Sequence, residues 1–317
     1  MIRLYFLQAF YHLRENPIIT WVSILGTAMA ICMIMALVIT FQVRLVDCEP
    51  EVNRSRTLYV PYMSVKQKGN SDNESANASM SVRTGRECFR ALSMPEAVTL
   101  ASGVYRVRAS VPSRSKATAD MVQTDEAFWT IFSFHFLSGE AFTKADCDAG
   151  LTRAVLDATT ARRLFGTTDA VGHTVQLDYV DYTVAGVVAD VSMLATAAYA
   201  QIWVPYTAAG AEAMSWQNDT MGPMHAIILA RSSADFDAIR EETELLRKKY
   251  NDGLQDVEVF YRGQPDTQLA YLYRRWYAEP DVPGVMLRYA IVVIILLLVP
   301  AVNLSGMTLS RMRRRMA

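Results

Sequence analysis

The sequence lacks every familiar catalytic signature. It has no G-x-x-x-x-G-K-[ST] phosphate loop. The nearest string, Gly166 to Gly172 followed by His173, is wrongly spaced and lacks the lysine that reaches the phosphates. There is no G-x-S-x-G elbow and no H-E-x-x-H. The four histidines, His12, His135, His173 and His225, fall on separate segments, and no C-x-x-C or Cys/His cluster has metal-site spacing. Carboxylates are plentiful, but spacing singles out no pair for hydrolysis. These absences predict a chain that is not an enzyme, with no catalytic, cofactor-binding or metal-ligating residue; they leave binding residues unassigned.

Net charge is also missing. Lys and Arg number 31 against 32 Asp and Glu, a balance of −1 that gives no electrostatic reason for a nucleic-acid partner. Cysteine is sparse. Cys32 sits in an apolar run, and of Cys48, Cys88 and Cys147 at least one must stay unpaired within the chain. A Cys48–Cys88 bridge with Cys147 free is one arrangement left open. Sequons at Asn53, Asn73, Asn77 and Asn218 read as incidental.

What the chain does have is two long apolar stretches. Ile18 to Phe41 runs without a charged side chain, and a bilayer-crossing helix needs about 20 such residues. The run exceeds the 7–15 or so residues of a signal-peptide core, and QVRLVDC follows it with no A-x-A site, so a retained anchor is expected rather than cleavage. Tyr289 to Val302 is shorter, but GVMLRYAIVVIILLLVPAVNLSGMTL suffices if Arg288 snorkels and Asn303 finds a partner. A buried core helix is the alternative; the basic run after it favours a span. Arg3, His12 and Arg14 precede the first stretch and Arg311, Arg313, Arg314 and Arg315 follow the second. Asp47, Glu49, Glu51, Glu279 and Asp281 flank the inner ends. Lys and Arg near a span stay cytoplasmic. Both termini are therefore expected in the cytoplasm and the central block outside.

The expected organisation is an amphipathic interfacial helix at 1–16 ending at Asn16-Pro17, a transmembrane helix at 17–43, and an extracytoplasmic domain at 44–283. A second transmembrane helix at 284–309 and a basic tail at 310–317 complete it. Gly26 and Ala30, and Ser23 and Thr27, are small residues at i, i+4, suited to close approach by the second span. In the outer block TLYVPYMSV reads as one strand, QKGNSDNESANASMS as a flexible loop, and GRECFRALSMPEAVTLAS as a helix interrupted at Pro95. VYRVRASV alternates as a strand, with Arg106 and Arg108 on one solvated face. Phe128, Trp129, Phe132, Phe134 and Phe136 read as core rather than a cofactor cage. RAVLDATTARRLFG gives a strand and a helix stopped at Gly166; DAVGHTVQLDYVDYTVAGVVADV gives two strands joined at Asp178–Asp181. QIWVPY, MHAIILAR and DVEVFYR are further strands, and SSADFDAIREETELLRKKYN is an amphipathic helix capped at Ser232 or Ser233. Tyr271, Tyr273, Trp276 and Tyr277 suit a membrane interface. The fold class is α+β. Arg106, Arg108, the 66–81 loop and the 265–283 approach are places to look for binding.

Four separated segments carry a family resemblance. Val122 to Gly139 (VQTDEAFWTIFSFHFLSG) resembles the D-x-x-F-F-x-x-F-x-F-x-x-G segment of MacB/FtsX-type ABC transporter permeases. RAVLDATTARRLFGTTDAVGHTVQLDYVDYTVAGVVADV resembles the A-x-x-L-F-G, D-x-V-G and Y-T-V-x-G-V-V-x-D steps that follow. VNLSGMTLSRMRRRM is similar to N-L-x-x-[ML]-x-x-x-R-x-x-x-R, and NPIITWVSILGTAMAI to the lead into the first span.

The resemblance implies a membrane protein whose two transmembrane helices flank a two-lobed periplasmic domain: a porter-like α+β lobe and a mostly β lobe inserted at roughly 120–205. It implies a non-enzymatic permease subunit in the bacterial inner membrane that transmits ATP-driven motion of a cytoplasmic ABC ATPase to the periplasmic domain. The client would be a peptide, an antibiotic or a lipoprotein. The subunit would work as a homodimer or paired permease, with a periplasmic or outer-membrane partner. Members of the family continue past the basic run into E-I-G-[IV]-R-[KR]-A-x-G and two further spans, whereas these residues end at Ala317, so a permease truncated after its second span is expected. That favours the other reading, a membrane-tethered periplasmic sensor or scaffold without transport activity. A hydrolase lacks any motif.

Overall fold

The computed structural model describes residues 17–69, 75–112, 116–275 and 278–315. The expected helix at 1–16, Trp276, Tyr277 and the side chains of Arg311–Arg315 lie outside the described residues. The chain forms two units, one pairing Met1–Val43 with Asp281–Ala317 and the other comprising Arg44–Pro280.

Helix α1 (Pro17–Leu45) opens on a proline, whose missing N–H costs nothing in a first turn. Trp21–Leu45 has a mean hydropathy of 2.5 and is the one helix among the described residues long and apolar enough by itself to cross a membrane.

The outer unit begins with strands β1 (Thr57–Val60) and β2 (Met63–Gln67). The run TLYVPYMSV, expected as one strand, is therefore two. Pro61 has no N–H for a ladder, and the halves join different sheets. Strand β3 (Ala76–Ala78) pairs with β2 through Ser64↔Asn77, which corrects part of the expected flexible loop. Its two alanines pack on the core, too weak an apolar signal to show among serines and asparagines. Helix α2 (Val82–Gly85), with Ser81 accepting from the Thr84 N–H, runs on as a π turn over Arg86–Arg90. The rest of the stretch expected to be helical becomes β4 (Ala97–Ser102), where Val98 and Thr99 favour extended backbone.

There follow β5 (Tyr105–Ser110), β6 (Lys116–Thr124), α3 (Phe128–Ile131), β7 (Phe136–Gly139), α4 (Lys144–Asp148), β8 (Arg153–Asp157), α5 (Ala158–Phe165), β9 (Thr174–Leu177), β10 (Val180–Val188) and β11 (Ile202–Pro205). Asp157 caps α5, and Gly166 ends it at φ +80°, as read from the sequence. The unit closes with β12 (Met224–Leu229), α6 (Phe236–Gly253), β13 (Val257–Phe260), β14 (Asp266–Thr267) and α7 (Gln268–Tyr273).

Two antiparallel sheets, β14-β1-β12-β4 and β13-β2-β3, are joined by the continuous chain of β1 and β2. With β1 and β2 as first strand, β4 second, β12 third and β13 fourth, the order across them is 4-1-3-2. With α2 and α6 this is a split βαβ arrangement. Between its second and third strands, residues Tyr105 to Pro205 supply the sheet β7-β10-β8-β11-β6-β5-β9. Because β9 pairs with both β5 and β10, six of these strands close into a barrel, which removes the edges an open sheet would expose.

Three cores follow from period-2 alternation. Leu58 and Val60 turn to one, with Phe89 and Ile239; Val107, Leu156 and Val184 fill the barrel. Tyr59, Ile227 and Leu229 on the opposite face of the sheet meet Val122, Val155 and Trp203 from the barrel wall. Phe128 and Phe132 are buried in that third core, and Trp129, Phe134 and Phe136 pack against it, as expected of core aromatics. All four cysteines are free. Cys88 and Cys147 are buried in different cores while Cys48 is exposed, so the bridge left open is not made.

Helix α8 (Val282–Arg315) is capped by Asp281, whose Oδ1 accepts from the Gly284 N–H at 3.0 Å. Within the helical unit Phe41 of α1 meets Tyr289 of α8 edge to face, with centroids 5.8 Å apart. Ser23 and Ala30 are buried and Gly26, Thr27, Ile34 and Leu37 half-buried on α1; Val285, Met286, Tyr289, Val293 and Leu296 are half-buried on α8. Both are stripes at helical spacing, the pattern of a packed seam.

Candidate functional site

The features with most physical consequence lie where the chain joins and leaves the outer unit. Glu51 and Arg54 are both fully buried and paired at 2.6 Å. Arg54 also donates to the carbonyls of Val46 at 2.8 Å and Leu194 at 3.0 Å, and Glu51 Oε1 accepts from the N–H groups of Ala197 and Ala198. The segment just after α1 is thereby tied to the loop before β11. Each charge is satisfied on several sides, the condition under which a buried pair is tolerated.

The outgoing chain has its own clasp. Arg274 grips Asp266 bidentately; its Nη2–Oδ1 bond is 2.8 Å, and it also donates to the carbonyls of Arg262 and Ala278 at 3.0 Å each. Burial pushes the Asp266 carboxyl up, against the pull of Arg274. β14 lies antiparallel beside β1 through Tyr59↔Asp266, and Gln268 Nε2 donates to the Arg44 carbonyl at 2.9 Å. Tyr271, expected at a membrane interface, instead stacks on Tyr59.

A third polar cluster joins the split βαβ sheet to the barrel. Asp125, just past β6, accepts from Thr99 Oγ1 at 2.6 Å, Leu100 N–H at 3.1 Å, Ala127 N–H at 3.1 Å and Arg90 Nη1 at 3.2 Å. Arg90 also reaches Glu126 at 2.8 Å. Burial raises the Asp125 carboxyl to about 6, with Arg90 and the hydrogen bonds opposing.

The places singled out from sequence are dispersed. Arg106 and Arg108 do share one exposed face of β5; Arg106 sits 3.6 Å from Asp120, and Arg108 lies over the Tyr179 ring. The 66–81 segment has 70–74 outside the described residues, and its remainder edges the β13-β2-β3 sheet. Only the 265–283 approach coincides with a polar cluster, through Asp266 and Arg274. Glu51, Arg54 and Asp125 carried no signal, because Glu and Arg three apart are common on any surface. Among the described residues no group of three His, Cys, Asp or Glu side chains is placed to hold a metal ion.

An apolar helix long enough to span a bilayer, leading into a split βαβ sheet that carries an inserted barrel, defines the class. Residues 20–246 match the model of the MacB-like periplasmic core domain, and the chain belongs to that family, whose domain is found in ABC-type transporter permeases. No curated protein matches the chain. Among solved structures it is similar to the extracellular domain of the noncanonic ABC-type transporter YknZ from Gram-positive bacteria, at 16% identity over 63% of this chain and 99% of that one (TM-score 0.43). It is similar to the periplasmic region of MacB from Actinobacillus actinomycetemcomitans at 18% identity over 64% and 90% (TM-score 0.45). A domain assigned to a permease protein from Porphyromonas gingivalis shares 17% identity over 74% and 97% (TM-score 0.50). At such identities the likeness is one of fold.

Proposed function

We propose that this chain is a permease subunit of an ABC transporter and is not an enzyme. In this reading α1 and α8 both cross the bacterial inner membrane, both termini are cytoplasmic, and Arg44–Pro280 is periplasmic. The seam of Ser23, Ala30 and Phe41 with Tyr289 supports pairing of the two spans. The split βαβ part corresponds to the porter-like lobe, and the barrel to the inserted, mostly β lobe.

The observation that carries the mechanism is that both junctions of the outer unit are pinned by buried ion pairs, Glu51–Arg54 and Asp266–Arg274. A loosely tethered domain would absorb helix motion in its linkers. A domain clamped within a few residues of each helix moves with them, so nucleotide-driven motion of a cytoplasmic ATPase reaches the periplasm without a channel. The client is a peptide, an antibiotic or a lipoprotein, handled by a homodimer or paired permease with a periplasmic or outer-membrane partner.

Purification of the tagged chain from gently solubilised source membranes is expected to bring an ATP-binding subunit in near-stoichiometric amount. Reporter fusions after Leu45, Pro280 and Ala317 are expected to report outside, outside and inside. Loss of the ATP-binding subunit with topology intact would instead support a membrane-tethered sensor or scaffold.

A further inference from the structure

A cavity of 170 Å³ lies between the four-stranded sheet and the barrel, lined from β1, β4, β6, β12, the loop at 196–199 and α7. It is of the size that takes one aromatic ring; an engineered apolar cavity of about 150 Å³ binds benzene. Fifteen residues line it, and none is Asp, Glu, Lys or Arg. Burial keeps His225, one of the fifteen, in its neutral form, and its Nε2 is engaged with Ser79 Oγ at 2.8 Å. A charged ligand would therefore be desolvated there without a counter-charge.

Two observations narrow the class. Tyr59, stacked flat on Tyr271, lines the cavity, and its buried hydroxyl has no hydrogen-bond partner, a state that costs about 1–3 kcal/mol. A purely aliphatic occupant would leave that cost in place; one bearing a hydroxyl removes it. Gly103 lines the same space, and a Cβ built on it would meet only His225 Cε1, at 3.8 Å, so the glycine leaves volume open.

We infer that this cavity is a binding site for a small neutral aromatic alcohol of the phenol class, its ring among the aromatic lining and its hydroxyl paired with Tyr59. The inference goes beyond the transporter reading and stands with or without a partner ATPase. Tyr271 also ties the occupant to the outgoing chain, three residues before the Arg274 clasp.

The test is fluorine NMR of 4-fluorophenol with the full chain in detergent. A saturable bound signal that unlabelled phenol displaces is expected, with a contact between the fluorine and the Tyr271 ring protons. Gly103→Leu, which fills the space, is expected to abolish the signal. Tyr59→Phe is expected to weaken 4-fluorophenol at least fivefold while leaving fluorobenzene binding intact. Linear, non-saturable broadening equal to that of detergent alone would mean the cavity holds only water, and would overturn the assignment. Saturable binding without the Tyr271 contact would overturn it too. That readout needs no variant and holds even if Gly103→Leu fails to fold.

Discussion

Tyr59 and Tyr271 stack with their centroids 4.4 Å apart and their planes 14° from parallel. One belongs to the first strand after α1, the other to the last helix before the chain leaves the outer unit. The two ends of a 237-residue segment, Arg44–Pro280, are thus fastened to each other as well as to the body. Tyr59→Ala and Tyr271→Ala should be strongly non-additive, since each removes the same contact; a double-mutant cycle by urea unfolding measures the coupling, expected at about 0.5–1.5 kcal/mol.

Glu51→Ala leaves Arg54 buried without its counter-charge, and the expected loss is about 3–5 kcal/mol. That is a large share of the roughly 5–15 kcal/mol that holds a domain folded. The double variant Glu51→Leu, Arg54→Met should recover most of it, because no lone charge remains. Denaturant midpoints of the detergent-solubilised chain check both, and a double variant no better than the single would sink the account.

Asp125 gives a pH signature. Its carboxyl, raised to about 6, binds a proton more tightly in the folded chain than in the unfolded one. Its ionisation therefore costs stability, and that cost disappears as pH falls from about 6 towards 4. The shift corresponds to about 3 kcal/mol. Asp125→Asn should remove this acid-side gain, so the stability difference between variant and wild type should change across that window and be flat above pH 7.

His225 acts with the opposite sign. Burial pushes it down to about 4, so its contribution is fully present above about pH 6.5 and is lost as pH falls towards 4. The amount is about 3 kcal/mol, nearly offsetting that of Asp125 over the same range. His225→Gln should make the chain more acid-resistant than wild type between pH 6 and 4, measured as the slope of unfolding free energy against pH.

The barrel rests on one glycine more than on others. Gly139 has φ +65°, and a Cβ there would sit 2.2 Å from the Ala185 carbonyl oxygen, on the strand it pairs with. Gly150 has φ +62° but open space. Gly150→Ala should cost only the left-handed backbone penalty, about 1–2 kcal/mol. Gly139→Ala should cost clearly more and speed hydrogen exchange in β7 and β10. Equal costs would contradict the close approach.

Local chemistry made much of the fold legible. The uncharged run of α1, the Asp157 cap and Gly166 stop of α5, the Asp178 turn between β9 and β10, and the Ser232 cap ahead of α6 are all properties of neighbouring residues. So are the four segments that led to the family. Local signals misled where one residue carried a long-range consequence. Pro61 divided a strand between two sheets, two alanines made β3, and Tyr271 found Tyr59 rather than a membrane interface.

The sequence by itself determined the elements, the apolar helices and the family, because periodicity, capping and hydropathy act over a few residues. Only the tertiary structure decided barrel closure through β5, β9 and β10, and the junctions fixed by Glu51–Arg54 and Asp266–Arg274. It also decided the neutral cavity beside Tyr59. Those depend on burial, which turns ordinary surface residue types into groups that must find a partner, and burial is set by segments distant in the chain.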